Sequence, residues 1–360
     1  MTRFAFVIHP MDKFDVARKY PIARYLPEGL VESVIKRKRP VVVSEISGIV
    51  SKTGATTEGW FIGCPLTPRQ MVQKLPESEV YDRICECAEL AAQEGAQLIG
   101  LGAFTSVVGD GGITIRKRSP ISVTTGNSYT VATAIQGTLK ACSLLDMDVS
   151  QSTLAVVGAT GSIGRTCAKI LSRSFARTIL IGRDQDRTAL VAAEIPGSEA
   201  SVDLRDISSA DAVVTVTSAG KELIVPEFLK PGAVVCDVAR PRDVSKRVAK
   251  ERKDVLVIEG GIIKVPGDVN FNFDFGFPGN TAYACMSETI MLALEGDPSL
   301  FDFTLGKDVS VSQVEQISAL ADKHGFSLAD FRAFEEVVDQ QSIARARKAR
   351  VTGPTVARAR

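Results

Sequence analysis

Histidine is almost missing: His9 and His324 are the only two in 360 residues. A histidine-based metal centre or a Ser-His-Asp triad therefore has almost nothing to draw on. Excess charge is missing too, with 43 Lys+Arg against 42 Asp+Glu and a formal net charge of +1. A protein that coats nucleic acid needs a basic surplus, so no nucleic-acid partner is expected. The seven cysteines (Cys64, Cys85, Cys87, Cys142, Cys167, Cys236 and Cys285) are odd in number, scattered, and contain no C-x-x-C pair. They form neither a disulfide framework nor a zinc site, and no metal is expected. Cys85 and Cys87 fall in a helical stretch, where positions i and i+2 face apart. No apolar run reaches the ~18 residues of a membrane span. The run Phe4 to Ile8 is shorter than the ~7–15 residues of a signal-peptide core. A cytoplasmic protein with at most peripheral membrane contact is expected.

What is present is ordinary globular material, 45% hydrophobic, long enough for about two domains. Chemistry must then come from a cofactor or a thiol. The middle of the chain is the most readable. Thr153 to Val157 is a short β-branched run that ends in Gly158-Ala159-Thr160-Gly161-Ser162-Ile163-Gly164 and opens a helical pattern through Cys167, Ile170 and Leu171. Strand-like runs follow at Thr178 to Ile181, Ala212 to Val216, Ala233 to Cys236 and Val255 to Ile258, with a helix from about Arg187 to Glu194. This alternation indicates βαβ units on a parallel sheet. Earlier, Val41 to Val50, Trp60 to Gly63 and Gln97 to Leu101 read as strands and Ser78 to Glu94 as a helix. The expected fold class is α/β: a C-terminal Rossmann-type doubly wound parallel sheet plus a smaller N-terminal α/β domain. The expected boundaries are a substrate-binding domain over 1–145 and an NADP-binding domain over 146–335, whose late helix carries the nucleophile. A basic tail over 336–360, with Arg345, Arg347, Lys348, Arg350, Arg358 and Arg360, is expected to be disordered.

The glycine cluster follows a strand and opens a helix, the context in which small residues let backbone approach a pyrophosphate at a helix N-terminus. Its spacing is G-x-x-G-x-x-G, and the ordinary alternative is a tight βα turn. Gly158, Thr160, Gly161, Ser162, Ile163 and Gly164 are the expected cofactor contacts. At the end of the second strand stands Arg183, with Arg187 one turn on, where an acid would select NAD. Guanidinium groups there suit the 2′-phosphate of NADPH, although Asp184 could absorb Arg183 in an ion pair. Thr217, after the next strand, is placed on the nicotinamide side.

Cys285 stands out by context. Asn280 or Thr281 is a fair cap for a helix running to Glu295, and Cys285 sits slightly beyond its first turn. A helix N-terminus stabilises a thiolate, Glu288 one turn later opposes it, and a buried inert thiol remains the plainer reading. Asn127, in the polar loop Thr124-Thr125-Gly126-Asn127-Ser128, could donate to an oxyanion or simply cap the helix after it. Phe271, Phe273, Phe275 and Phe277 alternate with polar residues, as on a strand with one apolar face. That face reads as core or as the wall of an acyl tunnel. The basic runs Lys36-Arg37-Lys38-Arg39 and Arg116-Lys117-Arg118 read as solvated surface or as a dock for an acidic partner.

Taken in order, Leu101-Gly102-Ala103-Phe104-Thr105-Ser106, Thr124-Thr125-Gly126-Asn127-Ser128, the glycine cluster, Glu259-Gly260-Gly261, Ala282-Tyr283-Ala284-Cys285 with Glu288 and Glu295-Gly296, and Lys323-His324-Gly325-Phe326 resemble the cyanobacterial long-chain acyl-ACP reductases. The resemblance spans residues ~45–325; the first 40 residues, the stretch 267–279 and the tail depart from it. It implies NADPH-dependent reduction of a fatty acyl thioester to a fatty aldehyde, with Cys285 as nucleophile. It also implies acyl carrier protein or acyl-CoA as donor, and an aldehyde-consuming enzyme downstream. Two other readings stay open. One is a shikimate- or amino-acid-type dehydrogenase without covalent catalysis; the other is a non-catalytic NADP(H)-binding module.

Overall fold

The β-branched runs of the middle region all become strands of one parallel sheet. In the computed structural model, which describes residues 1–274 and 276–352, Thr153–Val157, Arg177–Ile181, Ser198–Ser201, Ala212–Thr215, Val234–Asp237 and Leu256–Glu259 are the six strands. In sequence order they stand 3-2-1-4-5-6 across the sheet, every pair parallel. That is the doubly wound order of dinucleotide-binding domains. Ala155, Val157, Ile179, Val213, Val235 and Val257 form a buried layer on the sheet.

The chain divides into two units, and the division differs from the expected one. One unit is Met1–Tyr129 with Ile263–Ser327; the other is Thr130–Ile262 with Leu328–Arg360. The N-terminal unit, with its returning segment, is thus the longer, and it contains Cys285, which the sequence reading had assigned to the cofactor domain. The physical reason is strand pairing. Gly267–Asn270 adds antiparallel to Val41–Val50 and becomes the edge of a six-stranded sheet that runs on through Thr56–Gly63, Arg3–Ile8, Leu98–Gly100 and Ser122–Thr124. The helix Ala284–Glu295 then packs on Arg3–Ile8, Leu98–Gly100 and Thr56–Gly63, its apolar residues buried almost throughout.

Two further expectations are corrected. The basic tail is helical over Gln340–Thr352, because Ile343 and Ala346 are buried and Arg350 pairs with Asp211 at 3.3 Å; Arg358 and Arg360 lie outside the described residues. The alternating phenylalanines are not a strand: pairing stops at Asn270, the Phe271 and Phe273 rings lie tilted against Phe61, and Phe277 meets the Tyr283 ring edge-on. Phe275 lies outside the described residues.

Candidate functional sites

In the second unit the glycine loop is built for close approach. A Cβ on Gly158, whose φ is +86°, would stand 2.8 Å from the Val216 carbonyl oxygen, and one on Gly164 would stand 2.3 Å from the Gly158 carbonyl oxygen. Only glycine fits either position. Gly161 caps the helix Ser162–Leu171 without a side chain, leaving its first N–H groups for a ligand. The Ser162 hydroxyl is buried and has no hydrogen-bond partner among the described residues. An orphaned hydroxyl beside free amides at a strand-to-helix turn fits a dinucleotide pyrophosphate. Ile163 is partly exposed on the same first turn. Thr160 stands close to Gly182, at the end of the second strand, where a Cβ would lie 3.2 Å from its methyl.

The basic pair beyond that strand is also free. Asp184 is spent capping the helix Gln185–Ala193, accepting from the Arg187 N–H at 2.9 Å, and does not pair with Arg183. Both guanidinium groups are exposed, with no ion pair among the described residues. Thr217 is held more firmly than the sequence suggests. Buried Asp243 accepts from the Thr217 N–H at 2.9 Å and hydroxyl at 2.6 Å, and from the Thr215 hydroxyl at 2.6 Å. Burial pushes the Asp243 carboxyl upward while the threonine donors pull it down. Asp243 was not singled out from sequence, since nothing local marks an acid 28 residues away as the anchor of a loop.

Of the seven cysteines six are buried, and Cys285, in the first unit, alone is partly exposed. Its helix starts later than expected. Thr281–Tyr283 is drawn into a strand, Tyr283 becomes the N-cap, and Cys285 is the second helical residue, within the first turn. Opposite it, Gly126 packs so closely that a Cβ there would lie 2.3 Å from Cys285 Cα. Loss of hydration pushes the thiol up to about 12. The Met286 N–H pulls the other way, nearby Glu288 raises it again, and the N–H groups of Cys285 itself and Ala103 lower it. Sulfur is thus ringed by main-chain donors yet protonated at rest.

Glu288 explains how this corner is held. The carboxylate is fully buried and accepts from the Thr124 hydroxyl at 2.7 Å, the Thr304 hydroxyl at 2.8 Å and the Tyr129 N–H at 3.0 Å. It ties the thiol helix to the loop that contains Gly126. Burial pushes its carboxyl upward against those donors. Asn127 begins the helix Asn127–Leu144 beside Gly126, partly exposed, and its side-chain amide makes no hydrogen bond among the described residues. Two features escaped the sequence reading. Ala103 holds φ +46° and ψ −120°, a conformation costly for a residue with a Cβ. His9 supports the turn that follows: its Nε2 accepts from the Phe104 N–H at 3.3 Å while Nδ1 faces the Pro10 carbonyl oxygen at 3.2 Å. Both are products of the fold, with no sequence signal. Among the described residues no group of three His, Cys, Asp or Glu could hold a metal. No helix among them is long and apolar enough to cross a membrane.

Comparison with known proteins agrees with this division. The shikimate/quinate 5-dehydrogenase family matches residues 140–259, inside the second unit. The aminotransferase PigE of Serratia sp. is 30% identical over 95% of this chain, which spans 41% of that protein's length. A long-chain acyl-[acyl-carrier-protein] reductase of Synechococcus elongatus is 25% identical over 87% of this chain and 94% of its own. Among solved structures, L-tryptophan dehydrogenase from Nostoc punctiforme aligns over 97% of this chain and 88% of its own at 14% identity, with a TM-score of 0.43. The family match and the strand order together support an oxidoreductase with a Rossmann-type, nicotinamide-binding domain.

Proposed function

We propose that this chain reduces long-chain fatty acyl thioesters, acyl-ACP or acyl-CoA, to fatty aldehydes with NADPH, through an acyl-enzyme on Cys285. The observation that carries the reading is the seat of Cys285. It is the only thiol left partly exposed, and it lies in the first turn of a helix among main-chain N–H donors, with its backbone pressed against Gly126. The Synechococcus relative supports the substrate class.

In this reading Cys285 sulfur attacks the thioester carbonyl carbon. A new C–S bond forms, the bond to the carrier sulfur breaks, and the carrier leaves as a thiol with the Cys285 proton. The N–H groups of Ala103 and Met286, and the free Asn127 amide, are the donors for the oxyanion that develops on the carbonyl oxygen. Glu288 is a positioning residue, holding the thiol helix to the Gly126 loop. Gly158, Gly161, Ser162, Ile163 and Gly164 would hold the pyrophosphate of a bound NADPH, Thr160 would line the approach, Arg183 and Arg187 would take the 2′-phosphate, and Thr217 would serve the nicotinamide side. When bound, NADPH would supply the hydride equivalent for reducing the acyl group that Cys285 holds as a thioester, and Cys285 would then release the aldehyde and regain its thiol.

The second reading, a dehydrogenase acting without a covalent intermediate, is favoured by the shikimate/quinate match. One experiment separates them: NADPH consumption with acyl-ACP, acyl-CoA and shikimate in parallel, with aldehyde identified by mass spectrometry. The expected result is aldehyde from a thioester, an acyl adduct on Cys285, and a Cys285→Ala variant that binds NADPH but forms none. Turnover of shikimate alone, or undiminished aldehyde formation by Cys285→Ala, would overturn the proposal. Cofactor binding with no consumption would leave a binding module.

A further inference from the structure

Between the first two strands of the N-terminal unit the chain makes a small helical insertion, and its two sides are unlike. Helices Lys13–Lys19 and Glu28–Ile35 and the 3-10 turn Pro21–Tyr25 fold over a separate small core of Val16, Ala17, Ala23, Val31 and Ile35. The other side exposes Phe14, Tyr20, Ile22, Tyr25, Leu30 and Val34, between 49% and 83% accessible. Helical spacing explains the segregation. Leu30 and Val34 are one turn apart and face out while Val31 and Ile35 face in; Ile22 and Tyr25 eclipse on the tighter 3-10 turn. Phe14, Tyr20 and Tyr25 are the only exposed aromatic side chains among the described residues.

The charge on this insertion is equally one-sided. Its acids are spent internally. Asp12 caps the first helix and Asp15 accepts from the Met11 N–H. Buried Glu32 binds Arg69 and Lys74, and Glu28 also faces Arg69. Of its eight bases three are engaged, Arg18 with Asp274, Lys36 with Glu79 and Lys13 with the Arg24 and Leu26 carbonyl oxygens; Lys19, Arg24, Arg37, Lys38 and Arg39 make no ion pair among the described residues, and Arg37, Lys38 and Arg39 are exposed in a row. Tyrosine and phenylalanine beside aliphatic side chains, flanked by free cations, match a bilayer–water interface: rings at headgroup depth, cations on lipid phosphate.

We propose that residues 12–39 dock this protein on an anionic lipid surface. Charge complementarity selects the anionic bilayer: free Lys19 and Arg24 adjoin exposed Tyr20 and Tyr25 in the chain, Arg37, Lys38 and Arg39 follow the second helix, and the exposed apolar side chains come from three elements. The inference stands apart from the chemistry assigned to Cys285, since a docking variant should keep turnover of a water-soluble acyl-CoA.

The test is co-sedimentation of the full chain with phosphatidylglycerol/phosphatidylcholine vesicles and with pure phosphatidylcholine vesicles, at low and high salt. Binding should favour the anionic vesicles and weaken with salt. Ile22→Ser/Tyr25→Ser and Arg37→Ser/Lys38→Ser should each lower it about tenfold or more, since a juxtamembrane cation contributes on the order of a factor of five. Unchanged circular dichroism and melting confirm that these surface variants are folded. Equal binding to both vesicle types, or variants that bind like the parent, would overturn the proposal. So would absence of vesicle binding in a protein whose affinity for acyl carrier protein falls in the same variants, which would make the surface a carrier-protein dock.

Discussion

Replacing Gly126 by alanine asks how much the seat of the thiol depends on one missing methyl group. The new Cβ would lie 2.3 Å from Cys285 Cα and 2.5 Å from its Cβ, at a φ of +73°. The left-handed backbone costs an L residue about 1–2 kcal/mol, and forcing a methyl into filled space adds about 1–3 kcal/mol. Gly54→Ala isolates the first contribution, because φ there is +85° with nothing within 4 Å of the added atom. Each kcal/mol moves Tm by about 2–4 °C in a folding unit of about 150–250 residues, the size class of the unit that contains both glycines. Gly54→Ala should therefore melt only a few degrees lower, and Gly126→Ala roughly 5–15 °C lower. The atoms met are the main chain of Cys285, so the strain is relieved only by moving the thiol helix or the loop. A shift of about 1 Å at a reacting atom costs roughly a hundredfold in rate. Thermal melts and aldehyde formation well below the melting range, measured on both variants, decide the matter. A Gly126→Ala protein that melts with Gly54→Ala and keeps full turnover would refute the contact and its role.

Three other outcomes follow from named groups. His9 is held below the ordinary histidine range, mainly by burial; its neutral form is the one that accepts from the Phe104 N–H, so its contribution is present above about pH 6.5 and is lost as pH falls through its lower folded value. Activity should show an acid limb below pH ~6.5 that is absent in His9→Asn; an unchanged limb assigns it elsewhere. Asp237, buried among the cofactor-unit strands, is raised to about 6, chiefly by burial. Its protonated form is favoured in the fold, so about 3 kcal/mol present below pH ~4 is lost as pH rises to and through about 6; Asp237→Asn should flatten that decline in melts across about pH 4–6.5, and an undiminished slope would refute it. Arg183→Ser with Arg187→Ser should raise the KM for NADPH by about tenfold to a hundredfold, as loss of charge-assisted hydrogen bonds does, and leave that for NADH unchanged; equal effects on both would exclude a 2′-phosphate site.

The Rossmann unit was legible because its signals are local. Five of its six strands are short runs rich in β-branched residues, the glycine loop lies within seven residues, and helical spacing follows the first two strands; the edge strand Ser198–Ser201 has no β-branched residue and went unread. The positions of Arg183 and Arg187, just past the end of Arg177–Ile181, were legible for the same reason. The edges were less so. The thiol helix was expected from Asn280, a good cap by composition, but Thr281–Tyr283 is claimed by a strand, which no local propensity announces. That three-residue shift of the cap, from Asn280 to Tyr283, moves Cys285 from beyond the first turn into it.

Long-range pairing set what sequence could not give. Gly267–Asn270 has one apolar residue, Val269, and no alternation worth reading, yet its pairing with Val41–Val50 carries the whole late segment back to the N-terminal sheet and takes Cys285 with it. Glu288 read as an unfavourable neighbour for a thiolate one turn away. Its complete burial shows a larger role: the partners Thr124 and Tyr129 lie 164 and 159 residues away in the chain. A carboxylate this buried is costly unless every lone pair is met, so the same donors that satisfy it also fix the loop that presses on Cys285. The charge that raises the thiol and the scaffold that seats it are therefore one group. Replacing Glu288 by glutamine cannot relieve the first without loosening the second.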